Sequence, residues 1–265
     1  MAQELRTDAK VTWCPGCPNH VILESARRAF LNLIKQGYKK ENFAIVAGIG
    51  CHAKIFDYLD LSGFYGLHGR TLPTAMGIKL GNPNLNVIAF AGDGDCYSEG
   101  MEHFIHTGRF NPNMTLLVHD NQSFSLTTGQ GTPTSQFGFK SKVEPFGKFT
   151  FPLNPVKLAL TSGVSFVART NARDLDFTAQ IIEKAVKHSG FSYVEILQDC
   201  LIFNTEMNNR DEMMYKLEDK ERTLKEAAEI ADEWDYNEKK GKIALGIIFQ
   251  EKRKTMEEQW PQLQN

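Results

Sequence analysis

Asp93 and Asn121 each stand just past a short apolar run. The first run, VIAFA at 87–91, ends on Gly92-Asp93-Gly94-Asp95; the second, MTLLV at 114–118, ends near Asp120-Asn121. Both have turn residues on either side and read as buried strands. Glycines at a strand exit let the backbone approach a ligand closely and leave amide N–H groups free to face phosphate oxygens. Residues 97–108 read as a helix, so the order is strand, acidic turn, helix, strand, polar turn. In an open parallel sheet both turns lie on the edge where ligands bind. Asp93 and Asn121 can then meet there. A carboxylate and an amide oxygen suit an octahedral Mg²⁺ that completes its shell with phosphate oxygens. A glycine-flanked aspartate on its own usually just makes a turn; the asparagine after the next strand lifts the pair above that reading.

Cysteine offers a second chemistry. Cys14 and Cys17 share the loop Cys-Pro-Gly-Cys, which cannot be helical. Cys51 follows an apolar run at 43–47 and the turn Gly48-Ile49-Gly50, and Cys200 follows another run at 192–197. Both fall on the edge that carries Asp93 and Asn121, and a CxxC loop arriving there completes four thiols. Four cysteines suit a [4Fe–4S] cluster or a structural zinc. Spacing does not choose between these, and small buried cysteines beside an incidental CxxC would look the same. Cys96, beside the acidic turn, reads as filler at a helix start. His68-Gly69-Arg70 precedes a helix at 72–80 whose N-terminus is a natural anion site.

The elements that position these residues alternate. Asn19 is the expected N-cap of a helix at 20–36, with an apolar face of Val21, Leu23, Ala26, Phe30, Leu33 and Ile34, closed by Gly37. Further strands are expected at 164–168 and 192–197, with an amphipathic helix at 173–188 between them. Strands alternating with helices imply right-handed βαβ units, hence an α/β fold with an open, mostly parallel, doubly wound sheet. Residues 120–151 hold no regular element; so long a loop is usually functional or faces a partner. After Asn204 the composition turns charged and helix-favouring. The expected organisation is a site-bearing domain at 1–204 and a C-terminal helical extension at 205–265.

Composition narrows the classes. Of 265 residues, 42% are hydrophobic and 23% charged, which suits one globular domain with an appendage. Thirty basic residues against 32 acidic ones leave a formal charge of −2, so no basic field argues for nucleic acid or an anionic membrane. No run of 18 apolar residues and no leader pattern stands out, so a soluble, cytoplasmic protein without disulfides is expected.

Together the motifs resemble those of thiamine diphosphate enzymes, and among them the β subunit of 2-oxoacid:ferredoxin oxidoreductases. The matching pieces are WCPGCPNH from Trp13, GIGCHAK from Gly48, LHGRTLPTAMGIKLGNP from Leu67, GDGD from Gly92, DNQSFSLTTGQGTPTS from Asp120 and CLIFN from Cys200. The resemblance implies thiamine diphosphate held by Ile49, Gly50, Cys51, His52, His68, Gly92, Gly94, Asp95, Ser125 and Leu126. It implies Mg²⁺ held by Asp93, Asn121 and the Ser123 carbonyl, and a [4Fe–4S] cluster on Cys14, Cys17, Cys51 and Cys200. Lys54 and His68 take the catalytic positions. The implied reaction is oxidative decarboxylation of a 2-oxoacid with coenzyme A, with electrons passing through the cluster to ferredoxin. The implied partner is an α (or fused γα) subunit.

Three departures stand out. Pro18 replaces a common glycine, Phe124-Ser125 replaces Tyr-Gly, and Thr128 replaces a frequent lysine. The last removes a positive charge beside the path of substrate and coenzyme A. Two alternatives remain at this level: a non-oxidative thiamine diphosphate decarboxylase or synthase with structural zinc, and a non-catalytic diphosphate-binding subunit.

Overall fold

Short apolar runs bounded by turn residues become the strands of one sheet. The computed structural model describes residues 4–263. Its strands are β1 (Phe43–Ala47), β2 (Ser62–Tyr65), β3 (Asn86–Gly92), β4 (Met114–Asp120), β5 (Phe166–Asn171), β6 (Phe191–Leu197), β7 (Met214–Lys216) and β8 (Ile243–Gln250). The helices are α1 (Asn19–Lys35), α2 (Ile55–Tyr58), α3 (Thr71–Gly81), α4 (Met101–Phe110), α5 (Pro155–Thr161), α6 (Leu175–Lys187), α7 (Leu224–Asp232) and α8 (Met256–Gln259). The sheet order is β2-β1-β3-β4-β6-β5-β8-β7. From β2 to β5 every pairing is parallel, while β8 joins β5 antiparallel.

Alternation along each strand divides the core into two layers. Ile45, Ile88, Phe90, Leu117, Val194 and Ile196 point to the face covered by α1 and α6. Their neighbours Val46, Val87, Ala89, Leu116, Val118 and Tyr193 point to the face covered by α3, α4, α5 and α7. A period-two strand thus serves both layers, as a doubly wound sheet requires. Because β1, β3, β4 and β6 are parallel, the turns after them share one edge.

Three expectations change. Asn19 does not cap α1: Pro18 stands at the N-cap without a side-chain hydrogen bond. Asn19 lies in the first turn, where its Oδ1 accepts from His119 Nδ1 at 2.8 Å. The helix expected at 97–108 divides into a π-helical turn over Asp95–Glu99 and then α4. Gly100 joins the two; a Cβ there would lie 2.7 Å from the Asp95 carbonyl. The C-terminal stretch is more than helical. Alongside α7 it contributes β7 and β8, because Ile243-Ala-Leu-Gly-Ile-Ile-Phe249 is a buried apolar run that completes the sheet. Among the described residues no helix is long and apolar enough to cross a membrane.

Candidate active site

The turns after β1, β3 and β4, with the segment after β6, enclose a cavity of about 280 Å³. Ile49, Gly50, Cys51, His52, His68, Gly92, Asp93, Gly94, Asp95, Asn121, Ser123, Ser125 and Leu126 line it. Every residue expected at the cofactor or Mg²⁺ is therefore in one place. Residues far apart in sequence meet because parallel strands deliver their C-terminal ends to the same edge.

Asp95 organises the turn from beneath. Its Oδ1 accepts from the Gly69 N–H at 2.7 Å and the Ile49 N–H at 3.3 Å, and its Oδ2 accepts from Thr71 Oγ1 at 2.9 Å. His68 Nδ1 lies 3.1 Å from Oδ1, and His52 Nε2 lies 3.6 Å from Oδ2, beyond hydrogen-bond length. Burial alone would raise the Asp95 pKa; the nearby His52 ring, the His68 hydrogen bond and the Gly69 amide instead hold it well below the usual carboxylate range. Both oxygens are committed, so Asp95 forms part of the cavity wall and holds its turns in place. A Cβ on Gly48 would sit 2.0 Å from Asp95 Oδ2, so only glycine permits this approach.

The Asp95 hydrogen bond raises the His68 pKa to about 9, against desolvation. The ring also faces the Ile49 carbonyl at 3.0 Å and places Nε2 2.8 Å from Glu99 Oε2. It is a cation at neutral pH on the wall of the cavity. His119 is its opposite. Burial drives its pKa well below the usual value, and its Nε2 is buried without a partner. With Nδ1 donating to Asn19, that nitrogen is an acceptor beside the cavity.

Asp93 and Asp120 form a buried carboxylate pair. The Thr134 hydroxyl lies 3.0 Å from Asp93 Oδ2 and 3.1 Å from Asp120 Oδ1. One proton cannot serve both. Burial pushes Asp93 up to about 6, and burial together with Asp93 pushes Asp120 well up. Asp120 Oδ2 and Ser123 Oγ are buried without partners. Asp93, Asn121 and Ser123 line the cavity together, and their carboxylate, amide and carbonyl oxygens are donors of the kind a hard cation takes. Gln122, between the two ligand candidates, has φ 54°. Its side chain is held by the Tyr236 carbonyl at 3.1 Å and by Arg210 Nη1 at 2.9 Å.

Of the four expected cysteines, Cys51 lines the cavity, and Cys17, Cys200 and Cys14 lie near enough for their charges to act on it. Burial raises the Cys51 pKa to about 11, and the charges of Cys17, Cys200 and Cys14 add to this while Lys54 opposes it. Cys17 is raised by burial as well, with Cys14 and Cys200 contributing. Mutual electrostatic reach among four thiols fits a group that accepts thiolates. Among the described residues, no three His, Cys, Asp or Glu side chains are grouped as around a single ion. Cys96 lies in the core, as expected of filler.

Lys54 is placed differently from the cavity residues. Its Nζ donates to the Thr12 carbonyl at 3.3 Å, on the side of the CxxC loop. Of the departures, Pro18 starts α1, and Thr128 adopts φ 78° in an exposed loop. Phe124 packs its ring over Gly94, where a Cβ would come within 2.2 Å of it. Phe124, Thr127, His119 and Gln198 line the cavity and were not expected there. Phe124 and Thr127 adjoin expected residues. His119 sits inside an apolar strand, where a histidine reads as core, and Gln198 carries no motif.

Residues 48–196 match the thiamine pyrophosphate enzyme family, C-terminal TPP-binding domain. The chain is 42% identical over 211 residues to the 2-oxoacid:ferredoxin oxidoreductase subunit beta of Saccharolobus solfataricus, covering 78% of this chain and 68% of that one. The chain belongs to the 2-oxoacid:ferredoxin oxidoreductase β-subunit family. The 2-oxoglutarate synthase subunit KorB of Archaeoglobus fulgidus, another relative, is 41% identical over 75% of this chain and 73% of its own. Among solved structures, the 2-oxoglutarate:ferredoxin oxidoreductase from Magnetococcus marinus, with 2-oxoglutarate, coenzyme A and succinyl-CoA bound, superposes with a TM-score of 0.89. That match is 32% identical and covers 96% of this chain and 86% of that one. The family is one of oxidoreductase subunits, and the cavity is that of its thiamine diphosphate domain.

Proposed function

We propose that this chain is the thiamine diphosphate- and cluster-bearing subunit of an enzyme that oxidatively decarboxylates a 2-oxoacid of the 2-oxoglutarate or pyruvate type. Coenzyme A takes the acyl group, and ferredoxin takes the electrons. The carrying observation is the juxtaposition of a cavity of about 280 Å³ on the sheet edge with four thiols within electrostatic reach of one another. Cys51 lines the cavity and belongs to the thiol set, so electrons leaving the cavity have a short path to an acceptor.

Thiamine diphosphate supplies the carbanion chemistry that releases CO₂, and the protein's part is to bind, orient and tune. Asp93, Asn121 and the Ser123 carbonyl hold Mg²⁺ against the diphosphate. His68 presents positive charge to the same anion, and Asp95 keeps that ring protonated and aimed. Cys14, Cys17, Cys51 and Cys200 hold a [4Fe–4S] cluster. Lys54 keeps a positive charge near Cys51, outside the cavity. An α subunit covers the open side.

The test is the complete complex, assayed anaerobically for 2-oxoacid- and coenzyme A-dependent viologen reduction over pyruvate, 2-oxoglutarate and branched-chain oxoacids. Asp93→Ala removes a charged metal ligand. Losing even a hydrogen-bond partner that only supports a metal ligand costs roughly 10–100-fold in metal affinity, so removing the ligand itself should weaken thiamine diphosphate and Mg²⁺ binding by about 100-fold or more. Undiminished binding by calorimetry contradicts the ligand assignment. Colourless parent complex with stoichiometric zinc contradicts the cluster.

A further inference from the structure

Ser125 stands between the two cofactor sites. It lines the cavity, and its hydroxyl oxygen lies 3.2 Å from Cys200 Sγ. The nearest oxygen acceptor, the Ser123 carbonyl, is 3.4 Å away. That is long for an O–H···O bond, whereas sulfur, with its larger radius, accepts at 3.2 Å. The Ser123 carbonyl already accepts from the Ser125 N–H at 2.8 Å and is the candidate Mg²⁺ ligand. Cys200 is 8% exposed and takes a second donor, the Phe203 N–H at 3.4 Å. The hydroxyl proton therefore belongs on the cysteine sulfur. Most of the surrounding motif matches its family pattern, but this serine is one of the departures; glycine in its place has no hydroxyl.

We propose that Ser125 is a potential-tuning residue, whose O–H···S bond to Cys200 raises the reduction potential of the cluster. This rests on the reading of the four cysteines as cluster ligands. When the cluster takes up one electron, negative charge spreads onto its cysteine sulfurs. A hydrogen-bond donor on a buried sulfur stabilises that added charge, so the reduced form gains more than the oxidised form. Because the same side chain walls the cavity, one small residue couples the cavity to the acceptor's driving force.

The experiment is an EPR-monitored redox titration of the complete complex, reduced stepwise with dithionite. Ser125→Ala and Ser125→Gly should both lower the midpoint potential while retaining iron. Ser125→Thr, which keeps a hydroxyl, should restore most of the difference. Hyperfine spectroscopy in deuterated buffer should show an exchangeable proton near the reduced cluster in the parent, weakened in Ser125→Ala. A full cluster with an unchanged midpoint in both hydroxyl-free variants overturns the inference alone. Loss of iron from both variants assigns Ser125 a structural role and overturns it too. An iron-free parent overturns the cluster reading and the inference with it.

Discussion

At neutral pH the ring of His68 carries a positive charge, because Asp95 accepts from Nδ1 and Glu99 stands at Nε2. Its pKa near 9 exceeds the ordinary 6.5. The sign follows. Charge on this ring stabilises the fold fully below about pH 6.5, and the contribution disappears as pH rises through about 9. The diphosphate should bind more weakly over the same rise. Asp95→Asn removes the first cause of the shift, so the titration should move back toward 6.5. NMR titration of the His68 ring protons measures both; an Asp95→Asn protein titrating near 9 would reassign the cause. The cysteines allow an equally local test. Cys200→Ala should strip or convert the proposed cluster, while Cys96→Ala, buried in the core, should leave iron unchanged. Iron analysis of the two variants decides it.

At the scale of elements, one buried ion pair ties the C-terminal stretch to the sheet that holds the site. Arg169 of β5 donates from Nε to Glu195 Oε2 of β6 at 2.5 Å, and from Nη2 to Tyr236 Oη at 2.6 Å. Tyr236 Oη lies 2.7 Å from Glu195, and Trp234 stacks on Tyr236 at 4.0 Å. Arg169 and Glu195 are fully buried. Removing one partner leaves an uncompensated charge, so Glu195→Ala should cost about 3–5 kcal/mol in urea unfolding. A loss below about 1 kcal/mol would mean that water or a rearranged side chain meets Arg169. Because the Tyr236 carbonyl also holds Gln122, the same variant should loosen the Asn121–Ser123 turn.

Legibility follows the same physics. β1, β3, β4 and β6 were readable because buried parallel strands are apolar runs bounded by turn residues, and their ends carry the chemistry. β2 was not, because Ser62-Gly63-Phe64-Tyr65 is a short exposed edge without alternation. The apolar run of β8 is plain in itself, but it follows a charged, helix-favouring segment that masks its place in the sheet. α5 is hidden at the end of a long irregular loop, although Asn154 caps it and Pro155 begins it. His119 and Gln198 had no local pattern; only the closed sheet puts them at the cavity.

At the scale of the whole molecule, the cavity lacks one group its cofactor needs. The thiamine aminopyrimidine requires a carboxylate to favour the tautomer that deprotonates the thiazolium. Among the described residues, the carboxylates lining the cavity are Asp93 and Asp95. Asp95 has both oxygens engaged, and Asp93 accepts from Thr134 and is the proposed metal ligand. The long loop after Asn121 meanwhile turns apolar rings outward. Phe146 is 98% exposed, Phe149 83% and Phe151 76%. Its base is anchored, with Lys148 Nζ donating to the Thr132 carbonyl at 2.6 Å and to the Ser135 carbonyl at 3.2 Å. An anchored loop with exposed aromatics beside an incomplete site fits an interface that burial would complete. The expected outcome is that this chain, purified alone and reconstituted with cluster, thiamine diphosphate and Mg²⁺, reduces viologen with a 2-oxoacid at least about 1,000-fold more slowly than the complex, since a positioned acid or base alone is worth roughly 10²–10⁴-fold. Adding the α subunit should restore the rate. Replacing Phe146 and Phe149 with serine should weaken that rescue while leaving the isolated chain's fold unchanged. Full activity without the α subunit would place the missing carboxylate in this chain after all.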